Sequence, residues 1–477
     1  MTFDADYRML IGGEQVAGSA TLDVLNPATE EVIATVPDAT REELDQAVAA
    51  ARAAFPAWAA TPIAERKAKL MALGQAVLAQ VDPFMRLLTK EQGKPHAEAQ
   101  GEIMGAGYWL MGASQLDLPV TVNEDSDDRY SETRHVPLGV VGAIAPWNFP
   151  MILAMFKVGP ALLAGNTMVL KPSPFTPLTT LKFGEIASGI LPPGVLNIVT
   201  GGDDLGPWMT SHPGFDKISF TGSTATGKRV MASAAPTLKR VTLELGGNDA
   251  AIVMPDVDVE KVAEELFWAA FRNNGQICIA TKRMYVHKDI YEPLRDALVA
   301  YAKTVKVGDG SEQGTQIGPI NNKQQYDRVL ELIQDAKDKG YEFLVGGEKA
   351  EVPGYFIPVT ILDNPPEDSR IVQEEQFGPV LPLIKFDDFE DVVRRANATD
   401  YGLGGSVWGN DEDRALEIAQ RIASGTVWVN ETQHLSPMAA FGGMKQSGVG
   451  VEGGVEGLLE YTNAQTIVRR KKAAVAA

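Results

Sequence analysis

The stretch GVVGAIAPWNFPMILAMFKVGPALLAGNTMVLK, residues 139–171, decides the fold. A short apolar run breaks at Pro146, a helix-length segment closes at Gly165, and a second short apolar run ends in Lys171. Continuous apolar strands separated by helices are buried on both faces, which is the pattern of a parallel sheet with crossover helices. From Pro137 to Phe156 no residue is charged, so this part imitates a membrane span. Pro137, Pro146 and Pro150, with Asn148 and several glycines, rule out a continuous helix there.

The same alternation continues outward. A helix through Ile186, the strand GVLNIV, the strand KISFTG, a helix from Ser223 and the strand RVTLELGG follow in turn. The expectation is an α/β fold with ligands at the carboxyl ends of its strands. A second α/β series follows Asp256, with a helix through Phe271 and strands at RMYVH, YEFLVGG, YFIPVTIL, VLPLIKF, GGSVWGN and GTVWVN. Upstream, Thr40 and Glu43 form a capping box for a helix over 40–55, with Leu44, Ala47, Val48, Ala51 and Phe55 on one face. The polar, alternating segment 119–136 suits a hairpin outside either core, and the terminal RRKKAAVAA reads as a frayed tail. No internal repeat or low-complexity tract is present.

Composition narrows the function. The 477 residues are 45% hydrophobic and 22% charged, enough for two to three domains with substantial cores. A net charge of −19 disfavours nucleic acid and anionic membrane surfaces, leaving small molecules as the expected partners. The single cysteine forbids an internal disulfide, and the polar start lacks a signal-peptide layout, so the cytoplasm is the expected compartment. No metal site is read.

Several short motifs carry chemistry. SFTGSTATGKR follows a strand and opens a helix, so Gly222 and Ser223 would let a phosphate approach the positive helix end. The phosphate-loop pattern fails at Arg229, where the Mg²⁺-binding hydroxyl should stand, and an ordinary turn is the alternative. Trp147 and Asn148 occupy a strand end, with a packed structural turn as the bland reading. Lys171 reaches a ribose or phosphate, or is a solvated strand-end charge. Glu244 interrupts an apolar strand as a general base would, or faces water. Cys278 lies in a loop rich in glycine and amides whose backbone N–H groups would stabilise a thiolate, or else it is a small buried hydrophobe.

Taken together, the chain resembles the aldehyde dehydrogenase superfamily over essentially its full length. PWNFP, KPSPFTP, FTGSTATGK, LELGGND, GQICIA, EEQFGPV and FGGMKQSGVG occur in the family's order, and Glu244 and Cys278 stand 34 residues apart, the family's usual interval. The resemblance implies Cys278 as the nucleophile that forms a thiohemiacetal. It implies the Asn148 amide as an oxyanion donor and Glu244 as the base that activates water against the thioester. Lys157 and Glu452 stand where the family has a lysine and a glutamate that carry protons away. For the cofactor it implies Lys171, Ser173, Gly222, Ser223 and Trp147 towards the ribose and pyrophosphate, Glu375 on the nicotinamide ribose and Phe377 beside the ring. Phe149, Phe156, Ile277, Ile279, Leu435 and Phe441 align with an apolar substrate tunnel and bring no arginine or lysine at these positions, which suits aliphatic or aromatic aldehydes and leaves open a charge supplied by other loops.

The implied fold has a Rossmann-like NAD(P)-binding domain (1–118 and 137–246), an α/β catalytic domain (247–447) and a β-hairpin oligomerisation element (119–136 and 458–472), giving a homodimer or homotetramer. Pro174 replaces the glutamate that many NAD-preferring relatives carry three residues after the ribose lysine. NAD is favoured because no arginine or lysine adjoins Lys171, with NADP or dual use left open. The competing functions are a CoA-acylating relative, disfavoured by Glu244, and a non-catalytic structural member, disfavoured by the complete nucleophile, base and oxyanion set.

Overall fold

A computed structural model describes residues 3–471. Its larger sheet has eight strands in the order Gly448–Val449, Arg240–Glu244, Lys217–Thr221, Val140–Ile144, Thr167–Lys171, Leu196–Ile198, Met9–Ile11 and Glu14–Val16. The middle strands, from Arg240–Glu244 to Leu196–Ile198, run parallel as the alternation requires. Both edges are antiparallel, so the sheet is mixed where a wholly parallel one was expected. The edge strands arrive as a short hairpin and as a two-residue return, without the crossover helix that enforces parallel direction.

A second sheet of seven strands runs Glu342–Val345, Thr360–Asp363, Val380–Phe386, Thr281–His287, Asp249–Val253, Gly404–Trp408 and Thr426–Val429. It is parallel except at Glu342–Val345. The hairpin read at 119–136 forms from Thr121–Asp125 and Arg129–Pro137, and Thr462–Arg470 pairs against its inner strand. Arg469 and Arg470 therefore belong to a strand, because the backbone of Arg129–Tyr130 offers them partners, and the frayed-tail expectation fails there. Residues 472–477, with the end of the 458–472 segment, lie outside the described residues.

The capping box is made: Thr40 Oγ1 accepts the Glu43 N–H at 3.2 Å and Glu43 Oε2 accepts the Thr40 N–H at 2.8 Å. The helix it starts runs on through Pro56 to Ala60. Pro150–Ala164 is apolar and buried nearly all round, and Gly165 ends it at φ 97° in the left-handed region. Among the described residues no helix is long and apolar enough to cross a membrane. The four short strands between Met9 and Pro37 were not anticipated. Two have three residues each, too few for an alternation to register.

The adjacent parallel strands Lys217–Thr221, Val140–Ile144 and Thr167–Lys171 align their carboxyl ends. Each then delivers its motif to one edge: Gly222 and Ser223, Trp147 and Asn148, and Lys171.

Candidate active site

Cys278 follows a turn whose backbone is left-handed at Asn273 (φ 49°), Asn274 (φ 59°) and Gly275 (φ 70°) in succession. Gly275 is required, since a Cβ there would stand 2.1 Å from the Gly378 carbonyl oxygen. The turn is tied to the PWNFP loop from both sides. Asn273 Nδ2 donates to the Asn148 carbonyl at 3.0 Å, and Asn148 Nδ2 donates to the Gln276 carbonyl at 3.0 Å. That leaves Asn148 one amide hydrogen for a developing oxyanion.

Cys278 is half-buried and, with Asn148, lines a cavity of about 1050 Å³. Phe149, Phe156, Ile277, Ile279, Leu435 and Phe441 all line the same cavity, and Trp109 stacks on Phe156 at 3.5 Å between ring centroids. These six positions are uncharged as read, and charge reaches the cavity from other segments, the alternative left open in the sequence. Lys261, Arg272, Glu264 and Glu265, all exposed, and half-buried Glu98 also line it. Lys261, Glu264 and Glu265 lie on the helix Val259–Phe271 and Arg272 just after it, directly ahead of the nucleophile, whereas Glu98 comes from the distant helix His96–Ala113.

The electrostatics of the cysteine also depart from expectation. Burial first, then the charges of Glu244, Glu375 and Asp249, push the Cys278 thiol well above its usual range, with Lys282 opposing. Burial first, and these acids with it, favour the thiol over the thiolate in the free protein.

Glu244 is 4% exposed, so it does not face water. Neither carboxylate oxygen has a hydrogen-bond partner. Burial and the charge of Glu452 raise its pKa well above the carboxylate range, with Lys157 pulling the other way. A carboxyl with high proton affinity and two vacant acceptor oxygens has the attributes of a general base towards water. Lys157 and Glu452 meet as an ion pair at 2.6 Å, and Lys157 also donates to Thr221 Oγ1 at 2.7 Å.

The other motif residues can be tested as dinucleotide holders on the structure itself. Lys171 is 5% exposed, not solvated, and its ammonium makes a single long contact, 3.4 Å to the Pro172 carbonyl. Burial lowers it to about 8, opposed by Asp203 and Asp38. A buried ammonium with spare donors fits a ribose or phosphate. Ser223 caps the helix Thr224–Ala234, accepting the Thr226 N–H at 3.3 Å, and Gly222 leads into it. Ser173 accepts the Phe175 N–H at 3.2 Å. Trp147 and Phe377 meet edge to face at 5.4 Å, with Phe377 at φ 48°. Glu375 Oε1 accepts the Gly247 N–H at 3.0 Å, and burial raises its carboxyl to about 7. The donor set fits a dinucleotide. Among the described residues no group of three or more His, Cys, Asp or Glu is placed to hold a metal ion.

Several participants were missed in the sequence. Lys94 donates to the Asn148 carbonyl at 2.9 Å and pairs with Glu102 at 2.6 Å, both side chains fully buried, and no local signal marks them. Ser219 and Thr221, both partners of Lys157, had a readable signal. With Lys217 they form a polar stripe at every second residue of a buried strand.

The model of the aldehyde dehydrogenase family matches residues 15–467. A probable aldehyde dehydrogenase of Pseudomonas sp. is 44% identical, over 97% of this chain and 94% of its own length. The phenylacetaldehyde dehydrogenase of Pseudomonas fluorescens is 40% identical, over 97% and 95% respectively. The NAD+ complex of an aldehyde dehydrogenase from Bacillus cereus superposes with a TM-score of 0.95 at 38% identity, covering 98% of each chain. Fold, motifs and relatives agree: the chain belongs to the aldehyde dehydrogenase family.

Proposed function

We propose that this protein oxidises an aldehyde to a carboxylic acid with NAD, by covalent catalysis at Cys278. The observation that carries the reading is the grouping of a half-buried cysteine and the Asn148 amide on one largely apolar cavity, with a buried, unpartnered Glu244 near enough to act on the thiol electrostatically. Cys278 loses its thiol proton to solvent in the cavity, the thiolate attacks the carbonyl carbon, and the free Asn148 N–H receives the oxyanion of the thiohemiacetal. The dinucleotide, when bound, supplies the oxidising equivalent that turns the thiohemiacetal into a thioester. Glu244 then takes a proton from water, the hydroxide cleaves the thioester, and Lys157 with Glu452 moves the proton on. The presence of Glu244 supports water over CoA as the acceptor.

Lys171, Ser173, Gly222, Ser223 and Trp147 would hold the adenosine ribose and pyrophosphate, and Glu375 and Phe377 the nicotinamide end. NAD is favoured over NADP because the charges acting on Lys171 are the acids Asp38 and Asp203, which would repel a 2′-phosphate. The aromatic and aliphatic lining supports apolar aliphatic or aromatic aldehydes. Residues 1–118 and 137–246 would form the cofactor domain and 247–447 the catalytic domain. The three-stranded sheet exposes Val122 (54%) and Val468 (60%), which supports a homodimer or homotetramer built through it.

The test is purified protein incubated with NAD or NADP and a panel of aliphatic, aromatic and charged aldehydes, with and without CoA. Formation of reduced NAD and free acid, abolished in Cys278→Ala, is the expected result. No reduction with any aldehyde, or an acyl-CoA product only, would overturn the reading.

A further inference from the structure

Lys282 is a buried cation that the chemistry above does not use. It lies on the strand Thr281–His287, four residues after Cys278, and is 1% exposed. Its ammonium donates to the Gly275 carbonyl at 2.6 Å, closing the turn of three left-handed residues that precedes the cysteine. Among the described residues no carboxylate lies within 4 Å of it, so its charge is not consumed by an ion pair. An unpaired buried ammonium is costly, which makes its retention here informative.

Its surroundings show what the charge acts on. The Phe377 ring lies 5.4 Å from the ammonium. Burial lowers the ammonium to about 8, with Glu375, Asp249 and Cys278 opposing, so the group is mostly charged at pH 7 and mostly neutral by pH 9. These groups form one layer around Gly247. Gly247 donates its N–H to Glu375, and a Cβ on it would stand 2.5 Å from the Cys278 carbonyl oxygen and 2.9 Å from Asp249 Oδ1. Glu244, Glu375 and Asp249 all oppose ionisation of the thiol, and Lys282 is the cation that favours it.

We propose that Lys282 is a positioning residue for the reaction: by holding the Gly275 carbonyl it sets the turn that aims Cys278, and it places a cation in the layer of acids beside the nucleophile. The proposal rests on the reading of Cys278 as nucleophile. The same charge opposes protonation of Glu375, which keeps that carboxylate an acceptor for ribose hydroxyls.

Because Cys278 is the sole cysteine, its alkylation by iodoacetamide reports its thiolate without ambiguity. The full-length, cofactor-free protein is compared with K282M and K282R between pH 7 and 9, with melting temperature recorded for each. Loss of the charge raises the thiol pKa and lowers the thiolate fraction, and the greater nucleophilicity of the more basic thiolate returns part of this. Alkylation of K282M is therefore expected to slow at least about threefold at pH 7, where Lys282 is charged, and to approach wild type towards pH 9 as Lys282 loses its proton, with K282R near wild type at pH 7. K282Q replaces K282M if the latter does not fold. Equal rates in wild type and K282M at pH 7 would overturn the proposal, and so would equal slowing in K282M and K282R, which would make the role geometric only. Turnover surviving in Cys278→Ala would instead overturn the nucleophile reading, an outcome the alkylation rates cannot produce.

Discussion

The Lys157 ammonium donates to Glu452 Oε1 at 2.6 Å across 295 residues of chain, and neither side chain is more than 1% exposed. Lys157 lies on the central helix of the first sheet, and Glu452 lies just after the return strand Gly448–Val449, so the pair fastens the C-terminal segment to the fold. Removing one partner leaves a buried charge alone. Lys157→Met should lose about 3–5 kcal/mol, and adding Glu452→Met should restore part of that loss. Urea unfolding of the single and double variants measures both. A single-variant loss within experimental error would show that water reaches the pair.

On the proposed mechanism the same pair sets the working range of Glu244 as the base. The charge of Glu452 raises the Glu244 carboxyl and that of Lys157 lowers it. A base works only when deprotonated, so hydrolysis falls as pH drops through the Glu244 pKa. Glu452→Gln removes a raising charge, so the acid limb of deacylation should move to lower pH. Lys157→Met removes a lowering charge, and its limb should move to higher pH. Single-turnover release of acid from the acyl-enzyme over pH 5–9 reads both limbs. Movement of both variants in one direction would contradict the assignment of Glu244.

Glu244→Gln keeps the shape of the site and removes the base. Thioester formation should persist and its hydrolysis should slow by about 10²–10⁴-fold, so reduced cofactor appears as a burst of about one equivalent per active site. Intact mass of the quenched enzyme checks the acyl adduct. A full linear rate without a burst would assign the hydrolytic base elsewhere.

Much of this geometry was legible in the sequence where the signal was local. The strand-and-helix alternation over 139–171 fixed the sheet that carries Asn148 and Lys171, and Thr40 with Glu43 announced a cap that forms as written. Glu244 was ambiguous between a base and a solvated strand end, and only its burial separates the two. What stayed hidden depended on contacts between distant segments. Lys94 reaches the Asn148 carbonyl over 54 residues, Glu98 comes to the cavity from the distant helix His96–Ala113, and which side chains of the helix just ahead of Cys278 face the cavity is set by packing. The thiol's electrostatics were misjudged for the same reason, since Glu375 and Asp249 act on Cys278 only through the fold.

Phe156 is 1% exposed and stacks on Trp109 while lining the cavity, so it serves both core and pocket. Phe156→Ala should cost about 3–5 kcal/mol in stability, near the upper end if Trp109 cannot collapse into the space. The same truncation enlarges the pocket and removes an aromatic face. KM for a small aromatic aldehyde should rise more than KM for a long aliphatic one. Denaturant unfolding and KM with both aldehydes check this. Unchanged discrimination would place the substrate away from Phe156.

Lys171 gives the cofactor site a pH dependence of its own. Burial lowers its ammonium to about 8 in the free protein. Below that pH the group is charged and donates to a bound dinucleotide. As pH rises through 8 it loses the charge, and affinity for NAD should fall between about pH 8 and 9.5. Below pH 7.5 the affinity should be flat. Lys171→Met removes both donor and charge, so its affinity should be lower by about tenfold or more and nearly independent of pH over this range. Titration calorimetry with NAD on the aldehyde-free protein measures the two curves directly. A wild-type curve that stays flat to pH 9.5 would mean that binding does not distinguish charged from neutral Lys171 or that the ligand does not touch it. The variant separates these outcomes, because only contact makes Lys171→Met weaken binding.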